Sequence, residues 1–213
     1  MFIILNKDKI LAYVVSVLTV ITLFGVANLM INTEVIETSS SITTKLPIYN
    51  VQTEEKKIAF TMNCAWNADD IDSILETLKN NDVQVTFFMV GSWVDKYPEA
   101  VKKIYEAGHE IGSHSNTHPH VNNLSAEKNL EEIKLSVNKI EKITGQKTNL
   151  YRAPYGEYND TVIQTAQENG YYTIQWNVDT LDYEGLTGDE IWNRIKDKLE
   201  NGSIILSHNG TKH

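Results

Sequence analysis

The segment Gly112-Ser-His-Ser-Asn-Thr-His118 puts two imidazoles, His114 and His118, on a single turn of chain, a spacing that suits both to one divalent ion. Imidazole is a ligand for zinc and its neighbours, and a catalytic zinc site takes three protein donors with one position left for water. Two donors do not make such a site. With His109 and His120 close by, the stretch reads equally as a loop with incidental histidines. The other residues with usable chemistry are Asn63, Cys64, Arg152, Asp179, Asp182 and His208. Cys64 is the single cysteine, so no internal disulfide forms. Its thiol is either a third ligand, as thiolate, or a small buried hydrophobe.

Such residues need elements to hold them. Apolar runs at 57–62, 83–89, 109–113, 150–152, 172–176 and 203–207 predict strands, and helical spacing fills 69–80, 98–107, 125–144, 159–169 and 189–199 between them. Leu130, Ile133, Val137 and Ile140 draw one apolar stripe on the longest helix. Gly145 and Gly170 sit just past helices, where a left-handed residue ends them, and Thr187 with Glu190 has capping-box spacing. Strand–helix alternation predicts an α/β fold with parallel strands, as an open doubly wound sheet or a barrel. In such folds the loops after the strands converge on the site, and every residue singled out above falls there. Asp69 and Asp70 read as charges at a helix N-terminus rather than catalysts. Trp66, Trp93 and Trp176 read as core before sugar platforms.

The chain has 213 residues and a formal net charge of -9, which opposes the basic footprint of a nucleic-acid binder. Residues 10–31 are uncharged and apolar, and at helical rise span about 33 Å, enough to cross a bilayer. Lys7 and Lys9 precede them and Glu34 follows, which predicts a cytoplasmic 1–9, a transmembrane anchor at 10–31 and a domain outside the cytoplasm. The Ser/Thr-rich 32–55 reads as a solvated linker, and 56–213 as the folded domain. No feature points to a protein partner.

Taken in order, the motifs resemble those of the polysaccharide deacetylase family, also called NodB-like or carbohydrate esterase family 4, from about residue 57 onward. His114-Ser-Asn-Thr-His118 is similar to the family's metal-binding motif, and Arg152-Ala-Pro154-Tyr155 to the stretch lining its groove. Asp179-Thr-Leu-Asp182-Tyr183 resembles the segment whose second aspartate supports a catalytic histidine, with Tyr183 where a tryptophan is usual. Leu206-Ser-His208 resembles the last motif, whose leucine contacts the acetyl methyl and whose histidine is the general acid.

The resemblance implies a distorted, incomplete (β/α)7-type barrel that hydrolyses N-acetyl groups of a cell-wall glycan such as peptidoglycan. It also implies a divalent ion, zinc first, with cobalt, nickel or manganese as alternatives. The backbone N–H of Tyr155 would face the oxyanion, and Arg152 would fix the base. The first motif departs. The family has two adjacent aspartates, base then metal ligand, where this chain has Asn63 and Cys64. An amide takes no proton, and general-base help is worth about 10²–10⁴ in rate. The expected function is a membrane-anchored, metal-dependent deacetylase, the alternative a catalytically impaired glycan-binding relative. The family continues past the point matching His213, so the barrel is expected to be truncated there.

Overall fold

Pairing between successive buried strands organises the molecule. The computed structural model describes residues 16–19, 22 and 45–211. Its elements are β1 (Ala59–Cys64), α1 (Ile71–Asn80), β2 (Thr86–Met89), α2 (Gly91–Lys96), α3 (Pro98–Glu106), β3 (Glu110–Ser113), α4 (Ala126–Thr144), β4 (Leu150–Tyr151), α5 (Asp160–Glu168), β5 (Tyr172–Thr173), β6 (Val178–Asp179), α6 (Gly188–Ile195) and β7 (Ile204–His208). The seven strands form one curled parallel sheet in the order β5-β4-β3-β2-β1-β7-β6, an α/β half-barrel.

The pleat decides which side chains reach the interior. Along β1, Thr61 and Asn63 point to the concave side, where both meet the Arg152 guanidinium. Met62 and Cys64 point to the helices and join a core cluster with Ile71, Val94, Val101 and Ile104. The stripe on α4 packs as its spacing requires: Ile133 and Val137 lie with Tyr151 and Val162, and Ile140 reaches the β1–β2 cluster. The Thr187–Glu190 capping box forms, and Gly145 ends α4 at a φ of 73°.

Three differences from expectation have local causes. Asp179 lies within a seventh strand, β6, rather than in a loop after the fifth; two residues are too few to show a periodicity. A separate short helix, α2, precedes α3, and Pro98 begins α3 at a position where its missing N–H costs nothing. Pairing also starts before residue 56. Ile48 bridges Ile174 and Asn50 bridges Ser203, while Val51 N–H bonds the Gly202 carbonyl at 2.9 Å, so this part of the presumed linker is a strap across the sheet. The Tyr49 and Tyr158 hydroxyls meet at 2.6 Å. Gly202 has a φ of +80°, and a Cβ there would lie 1.7 Å from the Val51 carbonyl oxygen, so the strap fits only over glycine.

The expected anchor at 10–31 falls outside the described residues except for 16–19 and 22, which are helical; the 1–9 segment and residues 32–44 also fall outside. Among the described residues no helix is long and apolar enough to cross a membrane.

Candidate functional site

A groove of about 610 Å³ opens at the C-terminal rim of the sheet, where the strand-end loops converge as the fold requires. Eight of the twelve expected site residues line it: Asn63, His114, His118, Tyr155, Asp179, Tyr183, Leu206 and His208. Arg152 and Asp182 stand directly behind that wall, each bonded to a lining residue. Pro154 is buried beneath Tyr155 in the turn that follows Arg152.

Register sets one half of the site. In the parallel β1–β7 pair Asn63 stands beside His208, and Thr61 beside Leu206. Asp182 grips His208 twice, accepting its backbone N–H at 2.6 Å and facing its Nδ1 at 2.8 Å. A carboxylate only accepts, so Nδ1 carries the proton and the other ring nitrogen is left for the groove. Trp66 and Tyr183, both about half exposed, flank that ring at centroid distances of 5.2 and 5.5 Å.

The histidine loop forms the other half. His114 is buried, and its Nδ1 lies 2.8 Å from the Arg152 carbonyl oxygen, which fixes the proton there and turns Nε2 away from it. Burial pushes the His114 imidazole well below its ordinary value, with His118 adding to the effect; burial also lowers His118. The two rings meet edge to face at 4.9 Å. Ser115 and His118 adopt left-handed φ of 66° and 60°, as does Tyr155 at 58°, conformations that persist only where surroundings impose them. What imposes them on the loop is Glu132. It accepts from the Ser115 hydroxyl at 2.7 Å, the Asn116 and Thr117 N–H groups at 2.9 and 2.8 Å, and the Thr117 hydroxyl at 3.0 Å. Burial works to raise this carboxyl, but those hydrogen bonds outweigh it and hold it below its usual value. Sequence reading missed Glu132; the signal was a run of donors, Ser-Asn-Thr, with no acceptor nearby in the chain.

Asn63 and Arg152 make the floor. The guanidinium is fully buried and donates to Asn63 Oδ1 at 3.0 Å, Thr61 Oγ1 at 2.8 Å, and the carbonyls of Gln175 and Ile174 at 3.1 and 3.3 Å. Burial pulls it down to about 9, which leaves it charged at neutral pH. Among the described residues no carboxylate balances it.

Cys64 is not brought to the imidazoles. It is fully buried on the helix-facing side of β1, and burial, then the nearby Asp70 charge, pushes its thiol well above the usual range. The reason is the period of two: when Asn63 faces the groove, its neighbour faces the core. The donors therefore do not fit a three-ligand metal centre. His114 is oriented as a ligand would be, yet among the described residues no group of three or more His, Cys, Asp or Glu is arranged to hold an ion.

Asp70 and two of the three tryptophans also differ from expectation. Asp70 makes no side-chain cap and instead accepts from Gly210 N–H at 2.7 Å and Asn209 Nδ2 at 3.1 Å, tying the loop after β7 to the one after β1. Trp93 is core, whereas Trp66 and Trp176 line the groove.

A parallel half-barrel with an imidazole-bearing groove at its C-terminal rim and a carboxylate-held histidine has the architecture of a carbohydrate de-N-acetylase. The chain belongs to the polysaccharide deacetylase family, whose model matches residues 50–174. It is 33% identical over 162 residues to the uncharacterised protein YlxY of Bacillus subtilis, covering 76% of this chain and 51% of that protein. It is 34% identical over 164 residues to a peptidoglycan-N-acetylglucosamine deacetylase of Bacillus cereus, covering 76% of each. This chain thus spans about half of the first relative's length. Among solved structures, BA3943 of Bacillus anthracis, a carbohydrate esterase family 4 pseudoenzyme, superposes with a TM-score of 0.74 at 35% identity, over 76% of this chain and 58% of that one. A mutant of BA3943 with restored enzymatic activity superposes equally well.

Proposed function

We propose that this domain is a peptidoglycan-directed member of the family that holds the N-acetylated glycan in its groove while hydrolysis is disabled at the base and metal end. The single observation that carries this reading is Asn63. The side chain that lines the groove and is hydrogen-bonded to Arg152, where the family's base stands, is an amide that cannot accept a proton. Cys64 supports it, since a buried thiol above its usual range does not supply the missing donor. The likeness to a pseudoenzyme of the same family agrees. Glycan recognition falls to the exposed rings of Tyr155, Trp66 and Tyr183 around the rim, which offer sugar faces a flat apolar surface.

A second reading, a membrane-anchored deacetylase that works with a divalent ion, is favoured by one feature. The acid arm is complete: His208 is held by Asp182, with Leu206 beside it in the groove. In either reading residues 10–31 would tether the domain on the outer face of a membrane, next to its polymer.

Sedimentation with insoluble peptidoglycan tests the binding function. The domain co-sediments, and Tyr155→Ala together with Trp66→Ala releases it. Equal recovery of wild type and the double variant, or none of either, contradicts the proposal.

A further inference from the structure

Among the described residues, no acid matches the positive charge that the groove floor holds. Every acceptor around the Arg152 guanidinium is neutral: the Asn63 amide, the Thr61 hydroxyl and two backbone carbonyls. Aromatic rings complete its surroundings, Phe88 at 4.1 Å and Trp176 at 5.5 Å. A buried cation of this kind keeps a strong field, because the interior screens it less than water does. The field has one polar outlet. A guanidinium only donates, so Asn63 must turn Oδ1 toward it, and the amide N–H groups then face the groove that Asn63 lines.

We propose that Asn63, backed by the buried guanidinium of Arg152, forms a binding site for a single carboxylate at the groove floor. The Asn63 amide donates to one carboxylate oxygen, and Arg152 supplies the compensating charge through that amide. The same field opposes a divalent cation between His114 and His118, so the substitution that removes the base also inverts the charge the floor prefers. Asp179, the groove-lining carboxylate not engaged with a histidine, stands two strands away on β6. It disfavours extended polyanions but leaves room at β1 for one carboxylate. This inference rests on the groove binding a ligand rather than hydrolysing one.

Sodium acetate is the probe, titrated into the intact chain and followed by tryptophan fluorescence, in which the groove-lining Trp66 and Trp176 report beside Trp93 and Trp192, against sodium chloride at equal ionic strength. Wild type gives a saturable, acetate-specific change, and Asn63→Asp raises the midpoint by about tenfold or more, the worth of a hydrogen bond to a charged group. Asn63→Leu removes the donor without adding charge and gives the same loss, so one misfolded variant does not stall the test. No response beyond chloride in wild type, or equal midpoints in wild type and both variants, overturns the proposal. N-acetylmuramic acid, whose carboxylate is carried on the sugar, separates the sources. Competition with acetate assigns the site to a glycan-borne carboxylate, and no competition assigns it to a small free acid. Binding of neutral N-acetylglucosamine oligomers is measured in parallel; its absence with the acetate response intact removes the glycan reading alone.

Discussion

Arg152 Nη1 donates to Asn63 Oδ1 at 3.0 Å across the floor of the groove, an arginine–amide contact where charge balance calls for a carboxylate. Asn63→Asp would complete a buried ion pair with little change in volume. A buried charge with its partner missing is the costly case, so the substitution is expected to stabilise the fold by about 1–3 kcal/mol. The arginine holds the new carboxyl below its usual value, so the gain is present at neutral pH and lost as pH falls and the group protonates. Urea unfolding of both proteins at neutral and acidic pH measures it; a destabilised variant at neutral pH contradicts the charge argument.

His114 and His109 predict acid sensitivity. Burial lowers both below the ordinary value of 6.5. Below that value the unfolded chain takes up protons that the folded one refuses, so stability is lost as pH falls from about 6.5, by up to about 1.4 kcal/mol per pH unit for His114 and by less for His109, which solvent partly screens. His109→Gln removes one of them outside the groove and should flatten the slope between neutral pH and pH 5. An unchanged slope contradicts the assignment of acid sensitivity to His109.

Much of this was legible in advance. Strands and helices alternate visibly because each strand is a short buried run and each helix carries a stripe. The rim residues could be named because a parallel sheet sends its loops to one end. What the residues did not disclose were contacts made by geometry rather than pattern. The strap at Ile48–Val51 has no periodicity and is held by backbone hydrogen bonds. Glu132 looks like any exposed helix acid until its loop folds over it. Cys64 has the composition of a ligand, but the pleat assigns it to the core.

The strap should contribute measurably. A chain beginning at residue 56 lacks the pairings of Ile48, Asn50 and Val51 and the Tyr49–Tyr158 contact, and is expected to be less stable than one beginning at residue 44 by about 2–4 kcal/mol. Gly202→Ala in the longer chain should cause most of the same loss, since its Cβ would meet the Val51 carbonyl. Equal urea midpoints for the two lengths would show that the segment only rests on the sheet.

Cys64 should be chemically silent. Fully buried, with a raised thiol, it is expected to react with a disulfide reagent only at the rate of global unfolding. Fast native-state labelling would place the sulfur within reach of the groove and reopen its role as a ligand.

Acetate release from N-acetylglucosamine oligomers, measured with zinc or cobalt supplied and with oligomer binding followed on the same samples, is the most direct test of a groove that binds without hydrolysing. The predicted result is oligomer binding with no acetate above the protein-free rate. Metal-dependent release that His208→Ala abolishes would contradict it, because Asn63 would then stand in a working active site.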